Sequence, residues 1–152
     1  KGIKRNREAV AETIENNVRK IITDEQPMNP KYYERMSELL DALIEKRREE
    51  AIEYEQYLAE IVALTKQVND PSLGTNYPKA INTPAKRAIY DNLDQDLDLT
   101  ILLDHAITST KKDDWRGNMV KEREVKYVIR NLLPDASKVE TIFELVKKQH
   151  EY

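Results

Sequence analysis

The chain has 152 residues, with 25 Lys+Arg against 28 Asp+Glu for a formal net charge of −3, 35% charged and 39% hydrophobic residues, three glycines, six prolines and no cysteine. That length fits one domain or one compact piece of a larger protein. The missing cysteines exclude disulfides, thiolate zinc sites and cysteine nucleophiles. Three glycines cannot furnish the loops of a dinucleotide or P-loop fold, and no apolar run reaches the ~18 residues of a membrane-spanning helix. No charged-then-apolar leader is visible, and the lack of thiols suits a reducing, cytoplasmic setting. The opening Lys1-Gly2-Ile3-Lys4-Arg5-Asn6-Arg7 reads as a cut through a connection, so the expectation is a fragment of a longer polypeptide.

Apolar periodicity predicts an all-α helical bundle of about six helices. The first covers residues 6–22, with Val10, Ile14, Val18 and Ile21 on one face. Pro27 ends it, and Asn29-Pro30 opens the next helix with a capping residue followed by proline at the first helical position. From 30 to 69 there is no glycine and no further proline, and Met36, Leu40, Leu43, Arg47, Ala51, Tyr54, Leu58, Ile61, Thr65 and Val68 step by three and four residues. This predicts one long helix of roughly 40 residues, ~60 Å at 1.5 Å per residue. Arg47 interrupts the stripe and is expected to lay its stem along the seam with its head in water. The run 45–50 reads as a solvated face, and Tyr32, Tyr33, Tyr54 and Tyr57 read as core.

Asn69-Asp70-Pro71 stops that helix, and 71–82 is the longest irregular segment, a linker between sub-halves 1–70 and 83–152. Thr83-Pro84 opens a helix to about 92, and the strongly apolar 95–110 forms the next. A further helix runs over 119–133 with Val125, Val128, Ile129 and Leu132 inward, and Ser137-Lys138-Val139-Glu140 has capping-box spacing for the last. Charge is uneven: 91–104 holds five aspartates and no cation, whereas 111–130 holds seven cations against four acids.

The chemistry-bearing patterns fall short of sites. Asp94-x-Asp96-x-Asp98 starts like a calcium loop, but Leu99 and His105 stand where Gly and Glu are needed, and acids suit a helix start. Glu124-x-Lys126 has metal-nuclease spacing but lies in a predicted helix, and His105 and His150 have no cysteine to accompany them. No catalytic, cofactor-binding or metal residue is assigned. The most distinctive segment is 111–118, where the only Trp sits beside an Arg, a pairing enriched at interface hot spots. The candidate interface residues are Lys111, Lys112, Trp115, Arg116 and Arg123, with Trp115 left open between an interface anchor and a lid on the core.

Several stretches together resemble the C-terminal region of the R subunit of type I restriction enzymes. These are Ile14-Glu15-Asn16-Asn17-Val18-Arg19-Lys20, the run Asn29-Pro30-Lys31-Tyr32-Tyr33-Glu34-Arg35-Met36-Ser37-Glu38-Leu39-Leu40, Arg87-Ala88-Ile89-Tyr90-Asp91-Asn92-Leu93, Lys111 to Asn118, and Phe143-Glu144-Leu145-Val146-Lys147 followed by His150-Glu151-Tyr152. The resemblance implies a non-catalytic helical domain that docks an ATP-dependent DNA translocase and endonuclease onto the modification and specificity subunits of a methyltransferase core. It places ATP, Mg2+ and the hydrolase chemistry of a type I site-specific deoxyribonuclease in upstream domains of the parent, none of it in this fragment. The alternative is a DNA-contacting helical module that guides duplex during translocation, using Lys111, Lys112, Arg116 and Arg123; DNA binding by the chain alone is expected to be weak or absent.

Overall fold

A computed structural model describes residues 2–152, and among these the regular structure is helical, with seven α-helices and no strand. The chain divides into two compact units. The first takes the chain to Gln26 and then Tyr32–Asn76; the second takes Pro27–Lys31 and Tyr77–Tyr152. The expected linker is thus shared, residues 71–76 going to the first unit and 77–82 to the second.

The first unit holds α1 (Gly2–Glu25), α2 (Pro30–Arg48) from Tyr32 onward, and α3 (Tyr54–Asn69). The helix of roughly 40 residues does not form: the chain reverses between Arg48 and Tyr54. Glu50 takes a left-handed φ of 54°, its N–H bonds to the Arg47 carbonyl at 3.1 Å, and the Ala51 N–H reaches back to Lys46 at 2.9 Å. This is the Schellman ending that glycine usually supplies. Here glutamate supplies it, so no glycine marked the break, and its side chain meets Lys4 at 2.5 Å. The reversal makes α2 and α3 antiparallel: near the start of α2, Tyr32 and Tyr33 donate their hydroxyls to the carbonyls of Gln67 (2.6 Å) and Val68 (3.3 Å) at the end of α3. Arg19 of α1 bonds Ser37 and Asp41 of α2 while Lys4 meets Glu50, so α1 also runs antiparallel to α2.

The reversal resets the helix phase. Tyr57, Ile61, Leu64 and Val68 are buried on α3, whereas Tyr54, Leu58 and Thr65 of the expected stripe are half-buried and Ala51 is exposed. The inward face of α1 is likewise turned by one position, to Ala11, Glu15, Val18 and Ile22, leaving Val10 exposed at 49%. Behind these faces lies a core that includes Tyr32, Tyr33, Met36, Leu40 and Leu43 of α2.

The second unit holds α4 (Pro84–Asn92), α5 (Leu97–Thr110), α6 (Met119–Leu132) and α7 (Val139–Lys148). Their ends follow side-chain chemistry. Thr83 caps α4 through the Lys86 N–H with Pro84 in the first turn, Asp96 caps α5 through the Leu99 N–H, and Asn118 accepts from Val120 and Lys121 at the start of α6. The capping box at Ser137 is not formed. Asp135 instead accepts from the Ser137 N–H and hydroxyl at 3.0 and 2.6 Å, starting a 3-10 turn over Ala136–Lys138 that leads into α7. Ile89, Leu103, Ile107, Val125, Ile129, Ile142, Phe143 and Val146 fill the core. Segment 27–31 belongs to this unit through Asn29, which donates to Asp91 at 2.8 Å and accepts from Asn92 at 2.7 Å, and through Gln149, which donates to the Met28 carbonyl at 2.7 Å.

Gly74 tests the packing of the first unit. A Cβ there would fall 1.9 Å from the Tyr32 hydroxyl and 2.7 Å from its ring carbon. Tyr32 is 2% exposed and held by Gln67, so it has nowhere to retreat. Overpacking of this kind costs about 1–3 kcal/mol. Gly74→Ala should therefore lower the denaturation midpoint in urea by a corresponding amount; an unchanged midpoint would show that the ring yields freely.

Candidate interaction surface

The polar groups with chemical potential are mostly spent on holding the helices together. Glu15 occupies an inward position of α1 and is 4% exposed. Arg47 of α2 grips it with Nε at 2.7 Å and a terminal nitrogen at 3.0 Å, and the Tyr57 hydroxyl of α3 donates to it at 2.7 Å. One carboxylate thus joins all three helices of the first unit. Arg47 does not send its head to water: its side chain is only 10% exposed, with Glu8 at 4.0 Å as a second, looser anion. The hydrogen bonds it donates to Glu15 hold the Arg47 guanidinium even more firmly protonated than usual. Desolvation, aided by the Glu15 charge, pushes the Tyr57 phenol well up.

Beside this centre lies a cavity of about 740 Å³ between the start of α1 and the α2–α3 reversal. Lys4, Arg7, Arg47 and Arg48 line it together with Glu8, Glu50 and Glu53, and the Arg7 guanidinium stacks 4.7 Å from the Tyr54 ring. With Glu15 beneath Arg47, cations and anions offset each other, so the cavity has no preference for either charge.

In the second unit the loop 111–118 turns through left-handed Asp114 (φ 57°) and Gly117 (φ 81°). It brings Trp115 and Arg116 onto the body of the unit. Of the two roles left open for Trp115, the packing one is what the fold uses: the ring is 2% exposed and lies 6.5 Å from Phe143. Its indole N–H is buried without an acceptor among the described residues. Such a group costs free energy, which apolar burial of the large ring must outweigh. Arg116 stacks on it at 4.8 Å and donates to the carbonyls of Lys147 (2.8 Å), Tyr152 (2.6 Å) and Gln149. These carbonyls lie at and beyond the end of α7, where a cation meets the negative pole of the helix. Tyr152 is buried and donates to Asp104 at 2.5 Å.

The other interface candidates divide. Lys112 pairs with Glu124 at 2.9 Å, and Lys111 is half-buried. Arg123 is exposed, touching only the Met119 sulfur at 3.7 Å among the described contacts. The nuclease-like pair separates: Glu124 goes to Lys112 and Lys126 to Glu140. Asp94 pairs with Lys138 at 2.6 Å, Asp96 is the cap of α5, and no cluster of metal-ligating residues exists among the described residues. His105 and His150 are exposed, and no described helix is long and apolar enough to cross a membrane.

Sequence reasoning missed the Glu15 centre. Its signal was present: Glu15 falls on the inward step Ala11, Glu15, Val18, Ile22, and Arg47 falls on the matching stripe of α2. Two opposite charges, each on an apolar stripe, are what a buried pair leaves in a sequence. No protein family, curated protein or solved structure matches the chain.

Two measurements probe these groups. Glu15→Gln keeps the shape but leaves the Arg47 cation buried without its counter-ion, a loss of about 3–5 kcal/mol for such pairs. Urea unfolding should register it, while Glu15→Leu combined with Arg47→Met should lie much closer to the parent; equal losses would refute an electrostatic origin. The second measurement is alkaline titration. Burial, with Glu25 adding to it, lifts Tyr33 to about 12, and Tyr57 and Tyr152 are lifted as well. A raised folded value favours the neutral phenol, so this stability is intact below the unfolded value of about 10 and is lost as pH rises beyond it. Tyr33, Tyr57 and Tyr152 should ionise above the free-tyrosine range in tyrosinate absorbance, and Tyr33→Phe should reduce the alkaline loss. A single step near the free value for all eight tyrosines would contradict this.

Proposed function

We propose that the chain is a helical docking domain of the R subunit of a type I restriction enzyme, joining the ATP-dependent translocase and endonuclease to the modification–specificity core in the cytoplasm of a bacterium or archaeon. The observation that carries this reading is where the resembling stretches fall. They contain Glu15, the Asn29–Asp91–Asn92 group, Trp115 with Arg116, and Phe143 with Tyr152, which are the polar and aromatic groups on which the two units are built. The resemblance therefore follows architecture, as expected for a module selected for its shape and surface. A duplex-guiding role has less to work with, because Lys112 is paired with Glu124 and Arg116 is committed to the end of α7.

The direct experiment is size-exclusion chromatography of the purified chain with the modification–specificity complex of its own system. Co-elution, with no ATPase or nuclease activity of the chain in the presence of Mg2+, is expected. Separate elution of the two, with the chain instead retarding duplex DNA and losing it steeply as salt is added, would favour the duplex-guiding role.

A further inference from the structure

We propose that the outward face of α6 is the surface that meets the partner, and that it receives an acidic amphipathic helix of the modification–specificity core; this rests on the docking reading above. Met119, Arg123, Tyr127 and Arg130 recur at spacings of four, four and three, so they form one straight ridge, with Val120 beside it. The opposite side of the helix, at Val125 and Ile129, is fully buried in the core. The ridge is well exposed: Met119 is 70%, Val120 65% and Tyr127 62% accessible. Exposed apolar side chains are ordinarily scattered singly, whereas these three fall within nine residues of one helix.

Charge selects the occupant. Lys112, Lys126 and Lys138 have carboxylates within the chain, but Arg123 and Arg130 have none among the described residues. A partner that covers the apolar ridge must therefore supply acids at its flanks. Met, Tyr and Arg are the side chains enriched in the interior of protein interfaces, and Lys and Glu, depleted there, are absent from the ridge. A row of this spacing packs against a similar row on another helix, and its run of about 16 Å matches three helical turns. Nucleic acid fits less well: two free guanidinia neutralise few phosphates, and Met119 and Val120 offer nothing to a backbone.

The test immobilises the modification–specificity complex of the same system and titrates the 152-residue chain over it. Arg123→Glu with Arg130→Glu, and separately Met119→Ser with Tyr127→Ser, should each weaken binding at least ten-fold while the melting temperature stays that of the parent. Lys79→Glu, a charge reversal at an exposed lysine in the segment before α4, should bind normally. If both double variants bind as tightly as the parent, the α6 assignment is wrong and docking uses another surface. If the parent itself does not bind the complex, the docking reading fails first and the assignment with it. If the arginine variant loses affinity only for a duplex oligonucleotide and keeps the complex, the face is a nucleic-acid surface and the proposal is overturned.

Discussion

The first unit depends on a single buried carboxylate. Apolar stripes bring α1, α2 and α3 together, but greasy surfaces slide past one another at small cost. Glu15 removes that freedom. It accepts from two nitrogens of Arg47 and from Tyr57, so sliding α1 or α2 along its axis would strand a charge in the core, and sliding α3 would cost the carboxylate a donor. Replacing such a pair with hydrocarbon is often neutral for stability, whereas breaking one side is expensive. The pair's contribution therefore lies in register more than in net free energy. The reversal after Arg48 is what brings Tyr57 of α3 to the same carboxylate.

The second unit solves the same problem at a helix end. Several carbonyls at and beyond the end of α7 lack helical partners, and Arg116 gathers them with one planar guanidinium. Stacking on Trp115 holds that guanidinium in place, and burial of Trp115 against Phe143 holds the loop. Loop 111–118, α7 and the residues up to Tyr152 thus form one structural piece, although they are far apart in sequence.

Where local chemistry marks an end, the sequence was legible. Thr83-Pro84 was readable because a capping side chain acts on its immediate neighbours, whereas Asp96 and Asn118 cap helices whose starts were not read from those residues. The reversal at 49–53 was not, because the left-handed position carries Glu50 in place of glycine, and a run of charges on a good helix-forming background looks uninterrupted. The one-position turn of α1 was missed for a related reason. Periodicity counts apolar residues, and the buried face includes a glutamate while Val10 stays outside. At Ser137 the spacing was right, but Asp135 two residues earlier competed for the same N–H. Trp115 was undecidable, since an indole beside a guanidinium is the signature of an interface and equally of a stacked lid.

The candidate surface shows why a tally of charge in sequence misleads. Residues 111–130 carry an excess of cations, which reads as a basic patch. In the fold, Lys112 and Lys126 each meet a carboxylate, Lys121 donates to the Asp113 carbonyl, and Arg116 is committed to carbonyls at and beyond the end of α7. What remains for a partner is narrower than the composition suggests: guanidinia spaced along one ridge with methionine, valine and tyrosine around them. A diffuse positive patch would attract any polyanion at a range set by the ionic strength. A few fixed charges within an apolar ridge discriminate instead, because each must find its own acid while the hydrocarbon between them is covered. How the cations of this segment are spent is set by the fold and not by their number in the sequence.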